Sequence, residues 1–159
     1  MPSRRQRQMC IRDRLYTDKF VGKTQINLNL ANDKKISFDL ESSDMTELLK
    51  NSDFVSLHVP AQKSYVIGKN EFNLMKTGAG LINAARGGVV DEKSLIESLD
   101  SGKLAFAGVD TFENEPKPSV KLLMHPKVSL TPHIGAATNE AQDRIGIELA
   151  NQIMTLVKE

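Results

Sequence analysis

Strand-like and helix-like segments alternate along the chain from residue 54 onwards. Short apolar runs, typical of strands in a sheet, are separated by segments in which apolar residues recur every three or four positions, as on one face of a helix. The predicted strands are 54–59, 79–84, 104–109 and 128–131, and the predicted helices are 70–76, 91–101 and 139–157. This alternation predicts an α/β fold: a doubly wound parallel sheet with helices on both faces and ligands outside the carboxyl ends of the strands.

The strand-like runs differ in how much burial they predict. Residues 54–59 form a nearly continuous apolar run, which predicts a strand covered on both faces. From Gln25 to Leu40 apolar and polar residues alternate around the turn-prone Asn32-Asp33. That pattern predicts a β-hairpin with one buried and one solvated face.

Two shorter elements complete the predicted order. Residues 15–17 are predicted to be the end of a strand. Ser43 or Asp44 is suited to cap a short helix that runs to about Lys50, with Met45 and two leucines facing inward.

The composition supports one globular domain preceded by a basic arm. The 159 residues are 40% hydrophobic, which is enough for one domain with a substantial core. Five of the seven arginines lie within the first 14 residues, and the rest of the chain has 16 basic and 19 acidic residues, a formal charge of −3. We interpret residues 1–14 as a disordered arm foreign to the natural reading frame, and residues 15–159 as the domain. The alternative, nucleic-acid binding by the arm, is disfavoured because no aromatic residue precedes Tyr16.

The sequence also argues against a membrane or metal role. No run approaches 18 consecutive apolar residues, and the N-terminus lacks the apolar stretch of a signal peptide. We therefore expect a cytoplasmic protein without a membrane partner. Cys10 has no second cysteine for a disulfide or a cysteine-based zinc site, and we expect no metal.

Three segments each place one chemically capable side chain at or after the end of a predicted strand. Arg86 lies in INAARGG, Glu115 in GVDTFENEP and His133 in LTPHIGA. In a parallel sheet these strand ends meet at one edge, where an arginine, a carboxylate and a histidine can bind an acidic substrate and move a proton. The sequence therefore predicts an active site at this edge.

His133 is the predicted acid–base group, because a free imidazole titrates at about pH 6.5. A carboxylate beside it would fix the ring, and spacing alone leaves Glu115 and Glu113 as rivals for that position. The alternative for His133 is a purely structural histidine. That is the interpretation we adopt for His58 and His125.

Arg86 is suited to bind a substrate carboxylate. Its guanidinium offers paired donors, and the following Gly87-Gly88 allows the backbone to approach a ligand closely. The alternative is a structural ion pair with Asp91. Asp110, directly after a strand, either accepts a hydrogen bond from a cofactor amide or caps the following loop.

Asp18 stands directly after the first predicted strand. An acid at the end of the second strand of a dinucleotide-binding fold accepts hydrogen bonds from ribose hydroxyls and favours NAD over NADP. The G-x-G-x-x-G loop that such a fold places about 20 residues upstream does not occur in these 159 residues. We expect it to lie beyond Met1 or to be replaced by the arginine-rich arm.

Four ordered motifs carry a family resemblance: LHVP at 57–60, INAARGGVVDE at 82–92, AGVDTFENEP at 107–116 and LTPHIGAATNEAQDR at 130–144. From residue 15 to 158 the chain resembles the NAD-binding domain of the D-isomer-specific 2-hydroxyacid dehydrogenases, most closely their phosphoglycerate dehydrogenase members. The resemblance implies that Arg86, Glu115 and His133 are catalytic, because the family's acid is the one before the proline. It implies that the NAD site is lined by Asp18, Val59, Ala84, Ala85, Arg86, Asp110, His133, Ile134, Gly135 and Ala136.

The implied reaction is oxidation of a 2-hydroxy acid by hydride transfer to NAD. His133 would remove the hydroxyl proton, Glu115 would stabilise the imidazolium, and Arg86 would hold the substrate carboxylate. The substrate implied most directly is 3-phosphoglycerate, oxidised to 3-phosphohydroxypyruvate in serine biosynthesis. Reductases for lactate, glyoxylate or hydroxypyruvate are the alternatives within the family.

The resemblance also implies a Rossmann-like domain that is incomplete at its N-terminus, since the first strand, the glycine loop and its helix are not among these residues. We therefore expect residues 15–159 to be a partial NAD-binding domain, inactive by itself and weak in NAD binding. The full-length protein is expected to be a homodimer. The alternative is a non-catalytic module of the same fold that senses NAD or binds a partner.

Overall fold

The computed structural model describes residues 15–29, 35–135 and 137–157, which form two compact units. The first unit contains the described residues up to Ser52 together with Leu74–Lys76, and the second contains Asp53–Asn73 and the described residues from Thr77 onwards. The arginine-rich arm (1–14), the predicted turn at Asn32-Asp33 and Ala136 lie outside the described residues.

The first unit contains the predicted hairpin. Strands β1 (Lys23–Asn29) and β2 (Lys35–Glu41) pair antiparallel, so that Ile26 faces Phe38 and Leu28 faces Ile36 across the ladder. Opposed residues of a ladder lie on the same face, so the alternation correctly predicted which side chains share a face. The expected burial of that face is wrong, because these four side chains are 40 to 49% exposed. Alternation specifies orientation, whereas burial requires a further layer packed on the face.

The segments that flank the hairpin gave one correct and one wrong prediction. Helix α1 (Met45–Asn51) begins after Asp44, whose carboxylate accepts the Thr46 N–H, and it buries Leu49. Residues 15–17, predicted as the end of a strand, are not in a strand. A strand exists only where a partner supplies the ladder, and no described strand pairs with this segment.

The second unit is built on a parallel sheet. Its elements in chain order are β3 (Phe54–Leu57), α2 (Lys69–Leu74), β4 (Ala79–Asn83), α3 (Glu92–Asp100), β5 (Leu104–Val109), α4 (Val120–Leu123), β6 (Val128–Leu130) and α5 (Asn139–Val157). The last residue of α2, Leu74, is counted with the first unit. The strands are adjacent in the order β3-β4-β5-β6, and all three pairings are parallel. This confirms the predicted parallel α/β sheet of Rossmann type. The short helix α4 was not predicted.

One face of this sheet forms the core. Val55, Leu81, Ala107 and their neighbours on that face are almost completely buried, and α3 packs against β5. The opposite face is more open than predicted. Phe54 is 68% exposed, so the prediction that this strand is covered on both faces is wrong. On this open face the ring of Phe54 lies beside the ring of Phe106, with ring centroids 5.9 Å apart. An apolar residue at position 54 therefore packs against another side chain of the same sheet face.

Helix α5 has the predicted bounds, but none of its described residues is buried. Within the described ranges, no helix combines the length and apolarity that a membrane crossing requires.

Thr111, directly after Asp110 at the end of β5, provides a stability test. It is 2% exposed, and its Oγ1 has no hydrogen-bond partner among the described residues. A buried hydroxyl without a partner loses its hydration without compensation. Thr111→Val keeps the shape and removes the hydroxyl, so we expect the free energy of unfolding to rise by about 1 kcal/mol in urea denaturation. Thr77→Val, at an exposed site, is the control and should change the free energy of unfolding little. A loss of stability in Thr111→Val would show that the Thr111 hydroxyl does have a partner.

Candidate active site

His133 lies three residues beyond the end of β6 and has an unusual backbone conformation. Its φ is +55°, in the left-handed region that a residue other than glycine seldom adopts. Such a conformation costs about 1–2 kcal/mol, so neighbouring contacts must hold it. The turn that follows supplies one of them, from the Ala137 N–H to the Ile134 carbonyl.

The carboxylate of Asp110 supplies the rest. Asp110 follows β5, is 6% exposed, and accepts the Ile134 N–H at 2.9 Å and the Thr131 hydroxyl on Oδ1. Its Oδ2 accepts the Gly135 N–H at 2.8 Å. Burial opposes ionisation of Asp110, but these hydrogen bonds, with the nearby His133, outweigh it and lower the pKa of the carboxyl. The loop that Asp110 holds is thus the one after β6, and not the loop directly following Asp110 that the alternative interpretation named.

Gly135 leaves room for the Asp110 carboxylate to lie close to the backbone of this loop. A Cβ built at Gly135 would lie 3.0 Å from Asp110 Oδ2, tighter than an ordinary contact. A Cβ here would force the Asp110 carboxylate or the loop to give by a few tenths of an ångström. Glycine is therefore favoured at position 135 by its closeness to this carboxylate.

Glu115 is bonded to His133. Its Oε2 lies 2.8 Å from His133 Nδ1, and its Oε1 accepts the Phe112 N–H at 2.9 Å. A carboxylate can only accept, so Nδ1 carries the proton and Nε2 is the ring nitrogen left for chemistry. The Phe112 N–H, followed by the bond to His133, lowers the pKa of Glu115. Between the two rival glutamates, the structure thus brings Glu115 to the imidazole.

Glu113 lies elsewhere, with its Oε1 accepting the Glu92 N–H at 2.8 Å. The other two histidines have hydrogen-bond partners of their own. His58 Nε2 lies 2.9 Å from Ser56 Oγ, and His125 accepts the Lys127 N–H on Nδ1 while Nε2 faces Asp100 at 3.2 Å.

Arg86 follows β4 and is exposed, with Nη1 donating to the carbonyl of Ala85 at 2.6 Å. Arg86 forms no ion pair with Asp91, which was the alternative interpretation of this arginine; Asp91 instead caps α3 by accepting from the Lys93 and Ser94 N–H groups. The side chain that holds the Arg86 loop is Asn83, which is 4% exposed and bonds both the Ala85 N–H and the Arg86 carbonyl. Sequence reasoning missed Asn83, although an amide between a strand and a turn is a signal for such a role.

The loop of Arg86 also contacts the loop of Glu115 directly. A Cβ built at Gly87 would lie 1.9 Å from the Phe112 carbonyl oxygen, so the two backbones touch where the glycine stands. The expected close approach at these glycines was to a ligand, whereas the one seen at Gly87 is to the neighbouring loop of the same chain. The approach to a ligand stays a prediction.

The residues predicted to line a cofactor site differ in accessibility. Ala84, Ile134 and Gly135 are exposed and Val59 is half-buried. Ala85 is 6% exposed, so little of it is accessible, and its place in the cofactor site stays a prediction.

Asp18 lies in the first unit. Its Oδ1 accepts the N–H groups of Phe20 and Val21, which lower its pKa. In the part of the chain that the structure describes, no three histidine, cysteine or acidic side chains are grouped as metal ligands.

Comparison with known proteins supports the family resemblance. The hydroxypyruvate reductase of Thermotoga maritima is 47% identical over 119 residues, which are 72% of this chain and 39% of that protein. The D-3-phosphoglycerate dehydrogenase of Methanocaldococcus jannaschii is 44% identical over 117 residues, 72% of this chain and 22% of that protein. The chain thus spans about two fifths or less of these relatives.

Solved structures give the same picture. A glyoxylate reductase from Paecilomyes thermophila superposes with a TM-score of 0.69 at 36% identity, covering 76% of this chain and 37% of that one. The D-lactate dehydrogenase of Aquifex aeolicus, solved with NAD and lactic acid, has a TM-score of 0.62 at 35% identity, covering 75% of this chain and 41% of that one.

A family model covers most of the fold described above, matching residues 21–135, from the hairpin to the turn after His133. The chain therefore belongs to the D-isomer specific 2-hydroxyacid dehydrogenase family and corresponds to its NAD binding domain.

Proposed function

We propose that this chain carries the catalytic pair of an NAD-dependent dehydrogenase that oxidises a 2-hydroxy acid by hydride transfer. The observation that carries the proposal is the 2.8 Å bond between His133 Nδ1 and Glu115 Oε2. The proposed substrate is 3-phosphoglycerate, oxidised to 3-phosphohydroxypyruvate at the start of serine synthesis. Relatives named hydroxypyruvate reductase and glyoxylate reductase make those 2-oxo acids the competing substrates.

In the proposed reaction His133 takes the hydroxyl proton of the substrate at Nε2, because Nδ1 is bonded to Glu115. The imidazolium that results lies beside a carboxylate, whose negative charge stabilises it. Glu115 is ionised for this role, since its contacts with Phe112 and His133 lower its pKa. The exposed guanidinium of Arg86 is proposed to hold the substrate carboxylate through paired N–H donors and to polarise the reacting oxygen.

The residues at this edge suit the nicotinamide end of NAD. Gly135 is the one described donor to Asp110 Oδ2, so this oxygen retains an acceptor position for a carboxamide. Ala84 and Ile134 offer exposed apolar surface. Asp18 belongs to the first unit and is proposed separately as a residue for ribose hydroxyls: both described bonds of its carboxylate go to Oδ1, so Oδ2 keeps its acceptor positions. When bound, NAD would accept the hydride from the substrate.

The catalytic pair is tested by substitution of its two members. In the product of the complete gene, Glu115→Gln keeps the shape and an acceptor oxygen but removes the charge that stabilises the imidazolium. We expect kcat/KM for 3-phosphoglycerate oxidation to fall roughly 100-fold, and His133→Ala to cost at least as much. Steady-state kinetics with NAD check this, with Glu97→Gln on the exposed face of α3 as the control. Equal activity of Glu115→Gln and the control would refute the proposed roles.

NAD binding by these 159 residues alone is a separate test. They contain no G-x-G-x-x-G loop, so the N–H groups that would hold the pyrophosphate are not among them. We expect calorimetry to give a Kd on the order of 1 mM, which is only about 4 kcal/mol of binding free energy. Micromolar NAD binding by this chain would contradict the expectation.

We also propose a homodimer for the full-length protein. Ile145, Leu149, Ile153 and Leu156 recur every three or four residues, so they lie on one face of α5, and each is more than half exposed. A second copy that packs on this face would remove their apolar surface from water.

Sedimentation of the full-length protein tests the dimer. Leu149→Glu places a charge on the proposed interface and should shift the protein to monomer. Ile147→Glu is the matched control, because Ile147 is also exposed but lies on the opposite face of α5. Equal sedimentation of the two variants would show that this face is not the interface.

A further inference from the structure

Glu92 and Glu113 hold each other's backbone. The Glu92 N–H donates to Glu113 Oε1 at 2.8 Å, and the Glu113 N–H donates to Glu92 Oε1 at 2.8 Å. Glu92 is the first residue of α3, and Glu113 lies in the loop that follows β5. The reciprocal pair therefore joins two segments that are 21 residues apart in sequence.

This arrangement is unfavourable for Glu92 itself. Glu92 is only 7% exposed, and burial is the main cause that raises the pKa of its carboxyl. The Glu113 N–H opposes that shift, while the negative charge of Glu113 adds to it. Burial thus disfavours the charged form of Glu92, and a carboxyl group in such a place calls for a specific local role.

Capping of α3 does not explain why a glutamate is buried at position 92. Asp91 already accepts the Lys93 and Ser94 N–H groups at the start of that helix. The described bond of the Glu92 carboxylate leads away from its own helix to the Glu113 N–H. Its role therefore concerns the loop that contains Glu113.

That loop leads directly to the catalytic pair. Phe112, the neighbour of Glu113, donates its N–H to Glu115 Oε1, and its carbonyl oxygen abuts Gly87. The other oxygen of Glu115 bonds His133. Displacement of Glu113 would move Phe112, and with it the donor that orients the Glu115 carboxylate.

We propose that Glu92 and Glu113 are positioning residues for the Glu115–His133 pair, acting through Phe112 by their reciprocal backbone hydrogen bonds. That this positioning matters for catalysis rests on the proposed function. That the two glutamates fix the geometry of Glu115 and His133 does not. Each glutamate acts as an acceptor oxygen, so a glutamine should replace it and an alanine should not.

The test uses this chain labelled with ¹⁵N and ¹³C, in four variants: Glu92→Ala, Glu92→Gln, Glu113→Ala and Glu113→Gln. NMR reports the ring nitrogen signals of His133 and the titration of the Glu115 carboxyl. In the alanine variants we expect shifted or broadened His133 signals and a Glu115 pKa that rises towards its ordinary value. The glutamine variants should restore both. Glu97→Ala, on the exposed face of α3, should match the unsubstituted chain.

Unchanged His133 and Glu115 signals in the alanine variants would overturn the proposal, as would glutamine variants that behave like the alanine ones. Circular dichroism checks folding. If Glu92→Ala fails to fold, Glu113→Ala, at a half-buried loop position, decides the question.

A second measurement separates this proposal from the proposed function. In the product of the complete gene, the alanine variants should lower kcat about tenfold with little change in KM for NAD, because they misplace the acid–base pair and leave the cofactor contacts intact. An inactive parent protein whose His133 signals respond as described would refute the dehydrogenase function and retain the positioning role.

Discussion

The candidate site depends on one buried carboxylate. Asp110 lies at the end of a central strand and gathers donors from Thr131, Ile134 and Gly135, on both sides of His133. A hydrogen bond to a charged group contributes about 1.5–3 kcal/mol, so these bonds together exceed the roughly 1–2 kcal/mol of a left-handed conformation. The strained backbone of His133 is therefore stabilised by the sheet itself.

Close contact between backbones supplies the second constraint. The carboxyl ends of parallel strands meet at one edge, but they do not by themselves set loop positions to within a hydrogen-bond length. Here Gly87 lets the loop of Arg86 contact the Phe112 carbonyl, and the Asn83 side chain holds the same loop by two hydrogen bonds to its backbone. The loops of Arg86 and Glu115 are thereby located by direct contact and need no ligand to approach each other.

The sequence predicted local periodicity better than long-range contacts. The bounds of α5 and the parallel strands followed from patterns that neighbouring residues express. The exposure of Phe54 and of the hairpin face did not follow from such patterns, because the burial of a face depends on which other elements pack against it. The same limit applied to Glu113 and Glu115, which are close in sequence but bond partners 21 and 18 residues away. Only the family pattern distinguished them before the structure did.

The two hydrogen bonds of the Glu115 carboxylate, to Phe112 and to His133, also affect the rotation of the His133 ring. A 180° flip of an imidazole about its Cβ–Cγ bond exchanges Nδ1 with a carbon, and exposed histidines make such rotations readily. At His133 the flip would place that carbon against Glu115 Oε2 and break the bond to Nδ1, while the bond of Oε1 to Phe112 holds the carboxylate in its present orientation. The two bonds thus favour the ring orientation in which Nε2 is the nitrogen left to exchange a proton.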